Sequence, residues 1–185
     1  MPLPTSIRFL PLSIGLLLSG VGQAAAQDLE LRFLDVGQGN AVLLRVGDKA
    51  ALVGTGPTDR VARRLRALGV ESAAVRVTSG NLRALGGDTR LRILPATGVL
   101  VERGRFRALL TEVGEPKAKD VPDLDVLQAA RYGSRQGVPA GWLARTRPEV
   151  VVISVGADNP HGYPHRAALG LYKTPGRRVF RTDQD

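Results

Sequence analysis

A strand-rich mixed α/β fold is the class this sequence predicts, and three observations predict it. Short apolar runs, some alternating with charged residues, are separated by glycine turns. One segment, TDRVARRLRALGV, carries apolar residues at helical spacing between two such runs. Toward the C-terminus, strand-like and helix-like segments take turns. The chain of 185 residues is long enough for one domain with a real core. Its 43% hydrophobic and 23% charged residues exclude disorder throughout.

Residues 1–26 read as an export signal. Arg8 precedes an apolar stretch around Leu10 to Val21, and Ala24 and Ala26 form a small-x-small pattern before Gln27. The stretch is short and glycine-interrupted for a membrane-spanning helix, and an uncleaved anchor is the alternative. The expectation is an exported domain of residues 27–185, periplasmic or extracellular, with no stable transmembrane segment after cleavage.

The elements of that domain follow in order. Leu29, Leu31 and Phe33 alternate with charged residues, as a half-buried strand does. AVLLRV and AALVGT flank GDK, a hairpin signal. The helical segment has Val61, Leu65 and Leu68 on one face and arginines on the other, with Thr58 or Asp59 to cap it and Gly69 to stop it. Its arginine run reads as a solvated face rather than a nucleic-acid reader. AAVRVTS is a buried strand, and VRVTSGNLRALGG runs from it through a loop into a glycine turn. Further strands turn at Pro95–Gly98 and Arg103–Gly104. GEPKAKDVPDL is a polar loop, DVLQAARYGSR a strand entering a loop, and VPAGWLARTRP a short helix. EVVVISVGA is a strong strand, NPHGYPHRAALGLYKTPG a loop and helix, and RRVFRTD a last strand.

Composition bounds the chemistry. With no cysteine, thiolate zinc sites, cysteine nucleophiles and disulfides are excluded. Only two histidines exist, His161 and His165, so one copy cannot build a histidine-rich metal centre. Lysine and arginine number 26 against 17 acidic residues, a formal charge of +9. Such a surface suits DNA, another polyanion or an anionic envelope, although an arginine-rich genome produces the same excess.

Seven segments, in order, resemble a known family. FLDVGQGNAVLLR is similar to the opening motif of the metallo-β-lactamase-like domain found at the C-terminus of ComEC competence proteins and in stand-alone relatives, which typically reads DVGQGD. LVGTGP resembles IDTGP, and VRVTSGNLRALGG resembles LVLTHPHADHIGG. FRALLTEVGEP, DVLQAARYGS, PEVVVISVGADNPHGYPHRAAL and VFRTDQD resemble the family's later motifs. The resemblance covers nearly all of residues 27–185. It implies a metallo-β-lactamase-like αββα sandwich, shortened where GGDTRLRIL follows the signature loop. The family's hydrolases hold two metal ions, zinc or manganese, on histidines and aspartates.

On that alignment the ligand positions are replaced. The signature histidines become Ser79, Asn81 and Ala84, and its aspartate becomes Arg83. Val113 stands at a further aspartate, Arg131 and Tyr132 at a histidine pair, Tyr163 at a last histidine, and Asn40 and Gly54 at two more aspartates. Guanidinium has no lone pair to give a metal. The expectation is therefore no catalytic residue, no metal and no cofactor.

Three readings stay open. In the first, Ser79, Asn81, Arg83, Arg131, Tyr132, His161, Tyr163 and His165 line a pocket for DNA or another polyanion, as the resemblance to competence proteins suggests. In the second, Arg83 and Arg131 pair internally with Asp35 or Asp158 and the pocket is closed, leaving a structural pseudoenzyme. In the third, His161, His165 and Asp158 retain one ion in a residual nuclease or phosphodiesterase. Gly37 and Gly39 read as a structural turn, and Ser134 as a turn residue rather than a nucleophile. Aromatic residues are 4% of the chain, which argues against stacking platforms for single strands.

Overall fold

The computed structural model describes residues 6–8, 28–70, 74–76, 83–111, 121–137 and 140–184. They form two sheets and three α-helices, a mixed α/β fold as the sequence patterning predicts. The first sheet has the order β1-β2-β3-β4-β5, built from Ser6–Arg8, Leu29–Phe33, Val42–Val46, Lys49–Val53 and Ala74–Arg76. Its strands are antiparallel except for the β4–β5 pair, which the helix α1, Thr58–Ala67, connects. The expected export signal lies mostly outside the described residues. Its three described positions, Ser6–Arg8, pair with Glu30–Arg32 at the sheet edge. Among the described residues no helix is long and apolar enough to cross a membrane.

The second sheet has seven strands. They are β6 (Arg83–Gly86), β7 (Thr89–Leu94), β8 (Gly98–Arg103), β9 (Phe106–Thr111), β10 (Val126–Gln128), β11 (Val150–Ile153) and β12 (Arg178–Arg181). The strands β6 to β9 form an antiparallel meander, and β9, β10, β11 and β12 run parallel. Helix α2, Ala140–Thr146, lies in the chain between β10 and β11, and α3, Arg166–Tyr172, between β11 and β12. The VRVTSGNLRALGG segment departs from the sequence reading in its second half. Arg83–Gly86 is a strand paired with β7, not a continuation of the loop.

Side-chain alternation sets the layers. Along β8, β9 and β11, Val99, Val101, Ala108, Leu110, Val150 and Val152 join Leu31, Phe33, Val42 and Leu44 in a core between the two sheets. The intervening Leu100, Leu109, Val151 and Ile153 point the other way, onto Trp142, Leu143, Ala168 and Tyr172 of α2 and α3. This period of two is why VVVI is buried at every position, the pattern of a strand covered on both faces. A third cluster seats Val61 and Leu65 of α1, and Leu68 just after it, on Leu34, Val36, Ala41 and Leu52. Helix, sheet, sheet and helices are thus stacked in that order.

The ends of α1 follow backbone chemistry. Pro57 occupies the cap position and no side chain caps it, so neither Thr58 nor Asp59 plays the expected role. Asp59 sits in the first turn, where a carboxylate favours the helix dipole, and pairs with Arg63. At the other end Gly69, at φ +68°, donates to Arg66 and Val70 donates to Leu65, a Schellman closure.

Candidate functional site

One edge of the sandwich collects the chemically interesting loops. The parallel strands β9 to β12 all finish there, and the carboxyl ends of parallel strands are where open α/β sheets present their ligand sites. A row of buried uncharged polar side chains marks the edge. Thr111 Oγ1 donates to the Gln128 carbonyl at 2.7 Å, and Gln128 Nε2 donates to Ser154 Oγ at 2.9 Å. Thr182 Oγ1 accepts from the Val155 amide at 2.9 Å. All four side chains are buried, so each of these bonds avoids the cost of an unpaired polar group.

The DVGQGN turn, residues 35–40, joins the first sheet to this edge. Asn40 Nδ2 donates to the Thr111 carbonyl at 3.3 Å, and its own carbonyl accepts from the Gly56 amide at 3.0 Å. Gln38 Oε1 accepts from the Gly156 amide at 3.2 Å. Its Nε2 is buried and has no partner among the described residues. Gly156 is glycine because the turn lies against it: a Cβ there would come within 2.7 Å of the Gln38 nitrogen. Gly37 takes φ +75° as the turn reading requires, with the Asp35 carboxylate accepting from its amide at 3.1 Å.

The sequence-derived site residues divide into two groups. Ser79 and Asn81 lie outside the described residues. Arg83 opens β6, its backbone opposite Leu91. The other five lie on two loops whose four rings meet. Arg131 and Tyr132 lie in the tight turn Ala130–Gly133 after β10, both in the left-handed region, at φ 49° and 57°. His161, Tyr163 and His165 come from the loop before α3. The Tyr163 ring centre lies 6.0 Å from that of Tyr132, 5.4 Å from His161 and 5.0 Å from His165.

Hydrogen bonds within and between the loops hold them in place. The Asn159 side chain accepts from the Tyr163 amide at 2.8 Å and donates to the Tyr163 and Gly156 carbonyls at 2.9 Å each. The Gly133 carbonyl accepts from the His165 amide at 3.0 Å. His165 occupies the cap position of α3 without capping it. Its Nδ1 instead accepts from the Arg135 amide at 3.2 Å. Ser134 Oγ accepts from the Gln136 amide at 3.3 Å, the turn role the sequence suggests.

Cations surround the edge. Asp35, one of the carboxylates considered for Arg83 or Arg131, is held by Arg64, which bonds its carboxylate at 3.0 Å and its carbonyl at 2.9 Å. The arginine run of α1 was legible only as a solvated face, yet Arg60, Arg63 and Arg64 line a surface cleft of about 390 Å³ with Asp35 and Ala67. Two of its guanidiniums are already matched, Arg64 by Asp35 and Arg63 by Asp59. On the ring-bearing loops Arg131 and Arg135 are exposed, as is Arg166 at the start of α3, and Asp158 is the acidic residue of the loop before α3.

A metal pair does not fit the residues described. No group of three or more histidine, aspartate and glutamate side chains converges among them, and His165 Nδ1 is engaged by a backbone amide. No step through a metal is derived from this geometry.

No family model matches the chain. Among curated proteins, "Recombination protein 2" of Haemophilus influenzae is 34% identical over 76 residues. That match covers 38% of this chain and spans about a tenth of the relative's length, 10%. It is a hint of relationship to a recombination protein, carried by part of the chain.

Proposed function

We propose that the chain is an exported, non-catalytic protein of the metallo-β-lactamase-like group related to ComEC, and that it binds DNA or another polyanion in competence or DNA uptake. The observation that carries this reading is the set of exposed arginines, Arg131 and Arg135 after β10 and Arg166 at the start of α3, on the segments that meet at the strand ends. The stacking of helix, sheet, sheet and helices, the order of the seven motifs and the partial match to a recombination protein support the kinship. Arginine suits the task because its planar fork accepts phosphate by two parallel hydrogen bonds and never loses its charge. The formal charge of +9 adds a favourable long-range field.

Titration of the purified chain with oligonucleotides at rising salt tests the proposal. The logarithm of the affinity should fall linearly with the logarithm of salt, and Arg131→Ala should reduce that slope by about one phosphate contact. Absence of binding at low salt would refute it. A chelator-sensitive phosphodiesterase activity with stoichiometric metal would favour the hydrolase reading instead.

A further inference from the structure

Aromatic side chains are scarce in this protein, and their distribution is uneven. The chain has three tyrosines and two histidines. Tyr172 is in the core, but the other two tyrosines and both histidines gather around Tyr163. Tyr132, Tyr163 and His165 are half-buried and His161 is exposed, so the cluster keeps ring surface in solvent.

Three further features bear on a binding role. The Tyr132 ring is delivered by a left-handed tyrosine that follows a left-handed arginine, a backbone state that bulky residues avoid. Strain of this kind, roughly 1–3 kcal/mol at each residue, persists where the surroundings over-determine it, and it clusters at binding sites. The Tyr163 backbone is clamped on both sides by Asn159. A backbone held this firmly, carrying a ring set among three others at 5.0–6.0 Å, loses little freedom on binding, which favours affinity. Arg131 precedes Tyr132 in the chain and the Arg135 amide bonds His165, and both arginines are exposed, so a planar group and an anion can be met together.

We propose that the Tyr132–Tyr163–His161 cluster is a stacking platform for an unpaired nucleobase, with the neighbouring arginines on the adjoining phosphates. The inference rests on the polyanion reading and adds its selectivity: single strands or frayed ends over paired duplex. Bases inside a duplex have their faces covered, whereas an unpaired base offers a π-face to a ring whatever its identity.

The test compares two ligands of equal length and charge on the full chain. One is a fluorescein-labelled oligothymidylate and the other an abasic deoxyribose-phosphate oligomer, followed by anisotropy. The oligothymidylate should bind roughly 5- to 150-fold more tightly, the range for one stacked base. Tyr163→Leu should bring that ratio close to one. Tyr163→Phe, which keeps the ring, should preserve the ratio. Equal affinity of the wild-type chain for both oligomers overturns the platform and leaves polyanion binding standing. Binding of neither oligomer overturns both. Because the ligand comparison uses the unaltered chain, it does not depend on how well a variant folds.

Discussion

Gly133 is where the ring-bearing loops are pinned together, and Gly133→Ala should be among the more damaging single-methyl additions in the protein. Two separate effects act there. The residue sits at φ +78°, and an L side chain in the left-handed region costs about 1–2 kcal/mol. A Cβ would also lie 2.6 Å from Pro164 Cβ, 3.1 Å from Ile153 Cγ2 and 3.3 Å from Pro164 Cα. The proline ring cannot rotate aside, so overpacking adds roughly 1–3 kcal/mol. The total is about 2–5 kcal/mol, or roughly 4–20 °C in Tm for a chain of this size. Gly162→Ala separates the two effects. Gly162 has φ +67° but open space where a Cβ would go, so it should lose only about 1–2 kcal/mol, the backbone cost alone. Urea unfolding can be followed by the emission of Trp142, the sole tryptophan, which is 5% exposed. The reasoning fails if Gly133→Ala is no more destabilising than Gly162→Ala.

Other outcomes follow from neighbouring contacts. Asn159→Ala removes three hydrogen bonds around Tyr163 and should cost roughly 1–3 kcal/mol while weakening oligothymidylate binding more than abasic binding; parallel unfolding and anisotropy titrations check both. Burial pushes the Tyr172 phenol up to about 12 from 10.0. The unfolded chain therefore releases this proton first, so the contribution is intact below pH 10 and is lost as pH rises from 10 to 12, at most about 2–3 kcal/mol. Tyr172→Phe should flatten that alkaline limb in urea midpoints measured across pH. Its hydroxyl has no partner among the described residues, so at neutral pH the change should lie within about 1 kcal/mol of wild type. Elemental analysis of the purified chain should find zinc and manganese well below stoichiometric, and chelator should leave Tm unchanged.

Most of the fold was legible because its signals are local. LELRF alternates as a strand with one charged face, VVVI reads as a strand with both faces covered, and VARRLRAL repeats at helical spacing. What failed was decided by tertiary contacts. Arg83–Gly86 reads as loop because RALG carries no strand pattern, yet pairing with Thr89–Leu91 makes it a strand. Helix α1 begins at Pro57 without a side-chain cap, although Asp59 advertises one. The site was half legible. The candidates Tyr132, His161, Tyr163 and His165 do converge, but a 4% aromatic content gave no sign that these rings would concentrate at one place. Composition averages over the chain, whereas a platform needs only a few rings in one spot. The cleft on α1 was illegible for a related reason, since only the fold brings Asp35 to Arg64 across 29 positions.

On the proposed kinship, the substitutions make physical sense only as a set. Removing metal ions while keeping their carboxylates would leave like charges crowded and uncompensated at the strand ends, at a cost of several kcal/mol. Here the carboxylates are gone as well: Asn40, Gly54, Arg83 and Val113 stand where the family pattern has aspartates. The strand ends still need their polar groups satisfied, because each buried amide or hydroxyl without a partner costs about 1–3 kcal/mol. Neutral bonds supply that need across the sheet, from Asn40 to the Thr111 carbonyl, from Thr111 to Gln128 and from Gln128 to Ser154. A neutral scaffold of this kind imposes no requirement for a cation. It leaves the rim free to carry arginine, and under the proposed function a rim of arginine beside aromatic rings would select for anions with planar groups attached.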